Sequence, residues 1–241
     1  MPSTTHDALC VRLWDWSETS QTVSLLTRDA GLIRCVAKGA KRDKSPFSGG
    51  LELCTRGEAE LIIKTTGAMS TLTAWDLVEP YPGLRRSLSA FRMSAYGVDL
   101  ARHLVPEGEA HPDLFDALAA LLRGLGSASS EEQPGHLLRF QWDALSDAGY
   151  QPGLPPPGEV QRGYVLDPMV GRFVPDKGRH PDWRVRRSTV ETLRFVASAG
   201  TPLETPAIEG ILRASRLLAA YAAHLLGGRL FSERGLFLEQ P

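Results

Sequence analysis

Five cations are concentrated in one short stretch of this sequence. Within eleven residues they stand against a single carboxylate, Asp43: Arg34, Lys38, Lys41, Arg42 and Lys44. Long, flexible cations on a loop of a small barrel can neutralise phosphates, as in the grooves that bind single-stranded nucleic acid. The alternative is a solvated loop whose charges only keep the chain soluble. A local phosphate-binding surface at this loop is the first hypothesis.

Three aromatic residues, Trp14, Trp16 and Phe47, flank this basic stretch. Aromatic rings give nucleotide bases a flat surface on which to stack. Aromatic residues at strand positions also fill protein cores. The sequence leaves both roles open.

A second group of arginines lies around the start of a predicted helix near Ser188: Arg179, Arg184, Arg186, Arg187 and Arg194. Arg85 and Arg86 open an earlier helix. Arginines beside an apolar groove suit an acidic peptide tail with a hydrophobic end, because charge steers the tail and the groove anchors it. Taken singly, each of them also fits an ordinary surface arginine.

Motifs for catalysis, metal binding and nucleotide hydrolysis are missing from the sequence. It has no HExxH, GxSxG or CxxC, and its six histidines are scattered. The segment 39–45 echoes the ends of a phosphate-binding loop. However, it lacks the glycine before Lys44 and runs into Pro46 instead of a helix.

The groupings of carboxylates closest to a catalytic cluster are Asp113 with Asp116 and Glu131 with Glu132. Acids of this kind are typical of helix starts and loops. We therefore expect a protein without enzymatic activity, cofactor or metal.

The composition is that of a globular protein with balanced charge. The 241 residues are 42% hydrophobic and 23% charged, and 27 Lys and Arg face 28 Asp and Glu. This length suits one large domain or two small ones. The charge balance lacks the basic surplus of a protein that coats nucleic acid, so any anion-binding surface must be local.

The sequence predicts a cytoplasmic protein without a membrane span. Residues 1–7 have neither the basic nor the apolar run of a secretory signal. The longest apolar stretch, 217–226, is far shorter than the roughly 18 residues that a span needs. Cys10, Cys35 and Cys54 are odd in number, which fits buried thiols in a reducing compartment better than disulfides.

The periodicity changes near residue 80. Before it, five β-rich runs predict strands at 8–14, 22–27, 31–37, 57–64 and 70–77, and together these predict a small barrel. After it, apolar residues recur at helical spacing over 84–104, 114–125 and 137–148. Two domains, one of strands and one of helices, give an α+β fold.

Residues 150–183 interrupt the helices. Their prolines exclude regular helix, and 164–166 with 172–174 predict a two-stranded β-ribbon around a turn at 167–171. Helices resume near Ser188, where Ser188 and Glu191 suggest a capping box. A last long helix over 205–226 ends at Gly227 and Gly228.

Short sequence segments along nearly the whole chain can be compared with known families. In the first 90 residues they are WSETS at 16–20, LTRDAG at 26–31, VAKGAKR at 36–42, SPF at 45–47, LEL at 51–53 and LVEPYPGLR at 77–85. Later ones are Leu114-Phe115 with Leu118, LLRF at 137–140, AGYQP at 148–152 and LGGRLFSER at 226–234. In their order and spacing these segments resemble the RecO family of bacterial recombinational-repair mediators.

The resemblance implies an N-terminal five-stranded OB-fold barrel in residues 1–80, followed by an α-helical domain in 81–241. It implies a mediator without cleavage chemistry that binds single- and double-stranded DNA and anneals complementary strands. With RecR, such a mediator promotes the loading of RecA onto DNA covered by single-strand binding protein (SSB).

The same resemblance assigns roles to the basic residues. Phosphate contacts would come from Arg34, Lys38, Lys41, Arg42 and Lys44. Weaker candidates are divided between DNA and the acidic C-terminal tail of SSB: Arg85, Arg86, Arg186 and Arg187.

One departure from the family concerns zinc. Many members carry four cysteines after the Gly-Tyr-x-Pro element and bind zinc there, whereas 151–181 has no cysteine. We expect packing to hold the insert together, without zinc. The rival hypothesis is a protein-only scaffold that bridges RecR and SSB with little direct DNA binding.

Overall fold

The computed structural model describes residues 2–42, 46–48, 51–64, 68–156, 163–176, 183–198 and 206–237. The chain forms two compact units, residues 1–127 and 128–241. No helix in the described ranges is long and apolar enough to cross a membrane.

A closed five-stranded barrel is the centre of the first unit. Its strands are β1 (Thr4–Asp15), β2 (Gln21–Thr27), β3 (Gly31–Ala37), β5 (Arg56–Ile62) and β6 (Ser70–Glu79). β1 pairs with β2 and β5, β2 with β3, and β5 with β6, all antiparallel; a parallel pairing of β3 with β6 closes the ring. The OB-fold barrel predicted from the sequence is confirmed.

Alternation along the strands separates the barrel interior from its outer surface. Side chains that point inward include those of Cys10, Leu25 and Cys35, which pack with Leu72 and Trp75 from β6. A short strand, β4 (Phe47–Ser48), pairs with β6 and brings Phe47 into the same core.

Gly31 begins β3 in a conformation that other residues avoid. Its φ is +73°, and a Cβ at this position would lie 1.9 Å from the carbonyl oxygen of Glu109. Only glycine allows the β2–β3 turn and this close approach of the 105–109 loop.

Two helices belong to the same compact unit as the barrel. A 3-10 turn (Pro82–Arg86) leads to α1 (Leu88–Leu104) and α2 (Pro112–Ser127). Ser87 caps α1, since its Oγ accepts a 3.2 Å hydrogen bond from the backbone N–H of Ala90. α1 contacts β1, and α2 contacts β2.

Ion pairs also link α2 to the strands. Arg56 donates to both carboxylate oxygens of Asp7 at 2.8 and 2.6 Å, and to Glu79 at 2.8 Å. Arg123 of α2 donates to the same Glu79 at 2.9 Å. Although burial opposes the charge on Glu79, Arg123 and Arg56 lower the pKa of this carboxylate. The first unit is thus a barrel with two attached helices.

The second unit combines helices with a small antiparallel sheet. Its elements are α3 (Gln133–Asp147), β7 (Gly163–Asp167), β8 (Arg172–Pro175), β9 (Arg184–Arg186), α4 (Arg187–Ala197), α5 (Ile208–Leu225), a 3-10 turn (Phe231–Glu233) and α6 (Arg234–Phe237). The sheet has the order β8-β7-β9. Buried Ser215 on α5 donates from Oγ to Oε1 of Gln141 on α3 at 2.7 Å.

Most predictions for the second unit are confirmed, and two details differ. The ribbon of β7 and β8 and the end of α5 before Gly227, at φ +72°, are as predicted. The third strand β9 was not predicted. The capping box is wrong: Arg186 occupies the N-cap of α4 without a side-chain cap, and Glu191 instead accepts from Arg187 at 2.7 Å.

The predicted division at residue 80 marks the change from strands to helices. The compact units instead divide after Ser127. The assignment of separate roles to 1–80 and 81–241 stays a prediction.

Candidate nucleic-acid interface

The outer face of β1, β2 and β3 carries three rows of facing side chains. In antiparallel strands, residues that pair across the ladder lie on the same face. The register gives the rows Trp14–Thr22–Val36, Arg12–Ser24–Arg34 and Leu9–Leu26–Leu32. The intervening residues, such as Val23 and Cys35, point into the core.

The apolar row is covered, and the two other rows are accessible. Leu9, Leu26 and Leu32 are buried outside the barrel core, on the face that α1 and α2 contact through β1 and β2. In the other rows Arg12 and Arg34 are exposed, and Trp14 and Val36 are partly exposed. We define these two accessible rows as the barrel face.

The central strand of the barrel face contributes the short side chains of Thr22 and Ser24, and both are buried. On β1, the guanidinium carbon of Arg12 lies 4.8 Å from the centroid of the Trp14 ring. In this cation–π contact the guanidinium lies over one face of the Trp14 ring, so a base that stacks on Trp14 must use the other face or displace Arg12.

The basic turn at residues 38–42 continues β3 at one end of the barrel face. Gly39 has a φ of +71°, which allows the chain to reverse, and the N–H of Arg42 donates to the Gly39 carbonyl at 3.0 Å. The N–H of Lys41 donates to the carbonyl of Thr19 at 3.2 Å. The turn is thus fixed to the β1–β2 loop, residues 16–20.

The β1–β2 loop presents Trp16, whose side chain is an exposed aromatic. The loop itself is ordered by backbone hydrogen bonds from Trp16 and Ser17 to the carbonyl of Ser20, each 3.1 Å long. An exposed tryptophan on a hydrogen-bonded loop next to a basic turn offers a stacking surface beside phosphate-binding charges.

Two cations of the predicted set are held by carboxylates. Lys41 Nζ lies 2.6 Å from Asp15, and this pair lowers the pKa of Asp15. Arg34 Nε lies 2.6 Å from Glu107. A phosphate that binds either cation must compete with its carboxylate.

Lys38 and Arg42 are available without such competition. Their side chains are exposed, and within the described ranges neither has an ion-pair partner. Lys44 and its neighbours Asp43 and Ser45 lie outside the described residues.

The weaker candidates are divided between the two units. In the first unit Arg85 pairs with Glu52, and the side chain of Arg86 is exposed. In the second unit Arg187 pairs with Glu191, and Arg186 is exposed on β9. Their assignment to DNA or to an acidic tail stays a prediction.

The three aromatic candidates have different environments. Phe47 is in the barrel core, so its proposed stacking role is wrong. Trp14 and Trp16 remain available on the barrel face and its adjoining loop.

Arg12 was missed by the sequence analysis. It stands alone in sequence, outside the run of cations at 34–44. The available signal was its spacing of two residues from Trp14, which puts both on one face of a strand. A bulge between Cys10 and Arg12 obscured the alternation that would have identified this face.

The clustered carboxylates have structural partners. Asp116 pairs with Arg28 at 2.9 Å, and Asp113 lies in the first turn of α2. Glu132 accepts from the N–H and Oγ of Ser129 at 2.9 and 2.8 Å. Across the described residues, no group of three or more His, Cys, Asp or Glu side chains is placed to hold a metal ion.

The three cysteines are free and buried, as predicted. Burial raises the pKa of Cys35 to about 12 and that of Cys54 to about 11, and it also raises the pKa of Cys10. Thiols in this state are poor nucleophiles.

Two family models match the chain. The one described as "Recombination protein O N terminal" matches residues 1–81, and the one described as "Recombination protein O C terminal" matches residues 85–155. The first match covers the barrel, and the second covers α1, α2, α3 and the start of the insert.

Several curated proteins are similar over most of their length. The DNA repair protein RecO of Geobacter metallireducens is 31% identical over 239 residues, which cover 93% of each chain. The DNA repair protein RecO of Myxococcus xanthus is 32% identical over 240 residues, or 94% of this chain and 93% of that protein. The same-named protein of Dehalococcoides mccartyi is 35% identical over 199 residues, or 78% and 76%.

Proposed function

Because the chain belongs to the RecO family of DNA repair proteins, we propose that it is a recombination mediator that holds DNA on its barrel face. In this proposal the protein works in the cytoplasm and has no catalytic chemistry of its own. It binds single- and double-stranded DNA and anneals complementary strands.

The observation that carries the proposal is the combination of aromatic and cationic groups on one surface. Trp16 is exposed and Trp14 is partly exposed, with Arg12 over the Trp14 ring and the exposed cations Lys38 and Arg42 in the adjoining turn. Stacking tolerates every base, and phosphate contacts carry no sequence information. A surface of this kind suits a protein that must bind whichever sequence is damaged.

Two further cations of the predicted set bind phosphate only when they leave their carboxylate partners. Arg34 and Lys41 exchange Glu107 and Asp15 for phosphates when a strand is bound. Because the net charge of the chain is −1, binding depends on this local surface and is sensitive to salt.

Protein partners complete the proposed activity. With RecR, the protein promotes RecA loading on SSB-coated DNA, and it contacts the acidic C-terminal tail of SSB. Arg85, Arg86, Arg186 and Arg187 are the cations proposed for that tail or for DNA. A separate tail site allows DNA and SSB to be held together.

The rival function is a scaffold that bridges RecR and SSB without direct DNA binding. The carboxylate partners of Arg34 and Lys41 favour this alternative, since paired cations attract phosphate less strongly.

A salt-dependent binding titration separates the two functions. Fluorescence anisotropy of labelled oligothymidine is compared for the wild type, Lys38→Gln with Arg42→Gln, and a control with the same charge change, Arg139→Gln with Arg213→Gln. Loss of two phosphate contacts reduces the slope of log affinity against log salt by about 1.4. Equal binding by all three proteins would reject the basic turn as part of the DNA-binding surface, and no binding by any of them would favour the scaffold.

A further inference from the structure

The outer face of the sheet in the second unit carries a row of arginines. Register places Arg172 on β8 and Arg184 and Arg186 on β9 on one face, because each pairs with an odd-numbered residue of β7. The opposite face holds Tyr164, Leu166, Phe173 and Val185, all buried. One face therefore forms core, and the other carries the three arginines together with Asp167, which pairs with Arg172 across the ladder.

Arg172, Arg184 and Arg186 are exposed. Val165 lies among them on the same face and is buried. Arg184 lies 3.0 Å from Asp176. For Arg172 and Arg186, the described part of the chain provides no ion pair.

The stability of helix α4 does not explain why an arginine occupies position 186. It occupies the N-cap of α4, has no side-chain hydrogen bond to the helix and adds positive charge at the positive end of the helix dipole. Arg186 is therefore unfavourable for the helix, but it is exposed on the arginine face, where its charge can bind an anion from outside the protein.

The hairpin between β7 and β8 ends in a rigid tip. Asp167 Oδ1 accepts hydrogen bonds from the N–H groups of Met169 at 3.0 Å and Val170 at 3.3 Å. The N–H of Gly171, at φ +68°, donates to the Asp167 carbonyl at 2.8 Å. The turn is fixed before any partner arrives.

This rigid tip displays two apolar side chains to solvent. Met169 is 83% exposed and Val170 54% exposed. The neighbouring segment supports the hairpin, since Gly153 exchanges hydrogen bonds with Gly171 and Phe173 at 2.8 and 3.0 Å. Met169 and Val170 thus present two adjacent apolar side chains on a hydrogen-bonded turn, where they are accessible to a partner.

We propose that this arginine face and its tip form a second nucleic-acid site, which takes duplex DNA. The arginines contact phosphates along the minor groove, and Met169 and Val170 wedge into a base step. Arginine is favoured at narrow minor grooves, and apolar wedges of this type unstack a step and bend the duplex. Arg172 and Arg186 supply positive charge for DNA phosphates, and the apolar tip gives this site a contact that phosphates alone do not use.

The inference rests on the proposed DNA-repair function and assigns single-stranded and duplex DNA to two different sites. The barrel face takes single strands, and the sheet of the second unit takes duplex.

The test compares duplex and single-stranded binding by the full chain. The variants are Met169→Ser with Val170→Ser at the tip and Arg172→Gln with Arg186→Gln on the face. The control is Leu88→Ser with Phe91→Ser, another exposed apolar pair, on α1. The probes are a duplex with one 2-aminopurine, whose fluorescence rises on unstacking, and labelled oligothymidine.

We expect the arginine variant to bind the duplex at least about fivefold more weakly at moderate salt. The tip variant should lose the 2-aminopurine signal. Both should bind oligothymidine within about twofold of the wild type, and the control should behave as the wild type in every assay.

Unchanged duplex affinity together with a retained fluorescence rise would overturn the proposal and point to a protein partner for the tip. An equal loss on single strands would overturn the assignment to duplex. Failure of the proposed single-strand site appears separately, as unchanged oligothymidine binding both by the Lys38 and Arg42 variant and by Arg12→Gln on the barrel face. Thermal unfolding checks each protein, and Met169→Gln alone serves if the double tip variant is unstable.

Discussion

At the residue scale, exposure separates side chains that can contact a ligand from those that only hold the fold. Trp16 and Phe47 are both aromatic and both flank the basic run, yet Trp16 is on a loop in solvent and Phe47 is in the barrel core. Among the cations, ion pairing makes a similar difference. Arg34 pairs with Glu107 and Lys41 with Asp15, whereas Lys38 and Arg42 pair with neither of these carboxylates. We base the predictions for single residues on this difference.

Trp16→Ala should weaken the binding of oligothymidine by about 1–3 kcal/mol, or roughly 5- to 150-fold, because one stacking surface is lost. Its exposure means that thermal stability should change little. Fluorescence anisotropy and thermal unfolding measure the two effects. Phe231→Ala, which also removes an exposed aromatic ring, is the control and should bind as the wild type does. Equal effects of the two variants would show that Trp16 has no special role.

Cys35 should make stability fall at alkaline pH. Burial raises its pKa to about 12 in the folded state, above the value near 9 of the unfolded chain. The folded state therefore keeps a proton that the unfolded state loses, so this stabilisation is complete below about pH 9 and disappears as the pH rises toward 12.

Urea unfolding of the wild type and of Cys35→Ala at about pH 8 and about pH 10 tests this effect. Between these values the wild type should lose about 1.4 kcal/mol more than the variant. Equal losses in the two proteins would show that the thiol does not titrate differently on unfolding. The variant is less stable at both pH values because it leaves a cavity, and only the difference between pH values is compared.

At the element scale, the sequence predicted strands and helices well and their contacts less well. Five strands, the ribbon of β7 and β8 and the end of α5 followed from alternation, turn residues and glycines. The three-residue strand β9 could not be predicted, because Arg184, Val185 and Arg186 are too few to show a period. The capping box failed because the pattern does not say that Arg187 competes for Glu191.

The barrel face was only partly predictable for a related reason. A run of cations is visible in sequence, but pairing across strands is not, so Arg12 was missed and the partners of Arg34 and Lys41 were unknown. Glu107 is 73 residues from Arg34 in the chain, and nothing local indicates their contact. The register of β1 with β2 supplied the missing information.

The N-cap of α4 is occupied by a residue that does not cap the helix, and a substitution there can improve it. Arg186→Asp would place a carboxylate at the N-cap, where it can accept from the first turn and meet the positive end of the helix dipole. We expect it to stabilise the protein by about 1 kcal/mol while weakening duplex binding. Urea unfolding and duplex anisotropy measure the two changes. A variant that gains stability and keeps full duplex affinity would argue against a binding role for Arg186.

At the scale of the whole molecule, the compact unit that contains the barrel extends to residue 127, beyond the change from strands to helices near residue 80. The barrel keeps an apolar row, Leu9, Leu26 and Leu32, on its outer surface, and the same unit contains α1 and α2. The ion pairs of Arg56 and Arg123 with Glu79 join the strands to α2. The helices are therefore part of the same unit as the barrel, and the barrel face on β1, β2 and β3 keeps exposed residues outside the apolar row.

A fragment of residues 1–127 should unfold cooperatively, and one of residues 1–80 should not. The shorter fragment exposes the apolar row and leaves Glu79 without Arg123, which together remove several kcal/mol of stabilisation. Urea unfolding followed by tryptophan fluorescence and circular dichroism distinguishes them. Similar cooperative unfolding of both fragments would contradict the view that α1 and α2 are integral to the unit.

The central claim is that single-stranded DNA lies on the barrel face. Photocrosslinking of iodouracil-substituted oligothymidine to the full chain, followed by mass spectrometry of the linked peptides, tests it most directly. We predict crosslinks at Trp14 or Trp16, and their loss when unlabelled oligothymidine competes. Crosslinks confined to residues 128–241, or to α1 and α2, would contradict it.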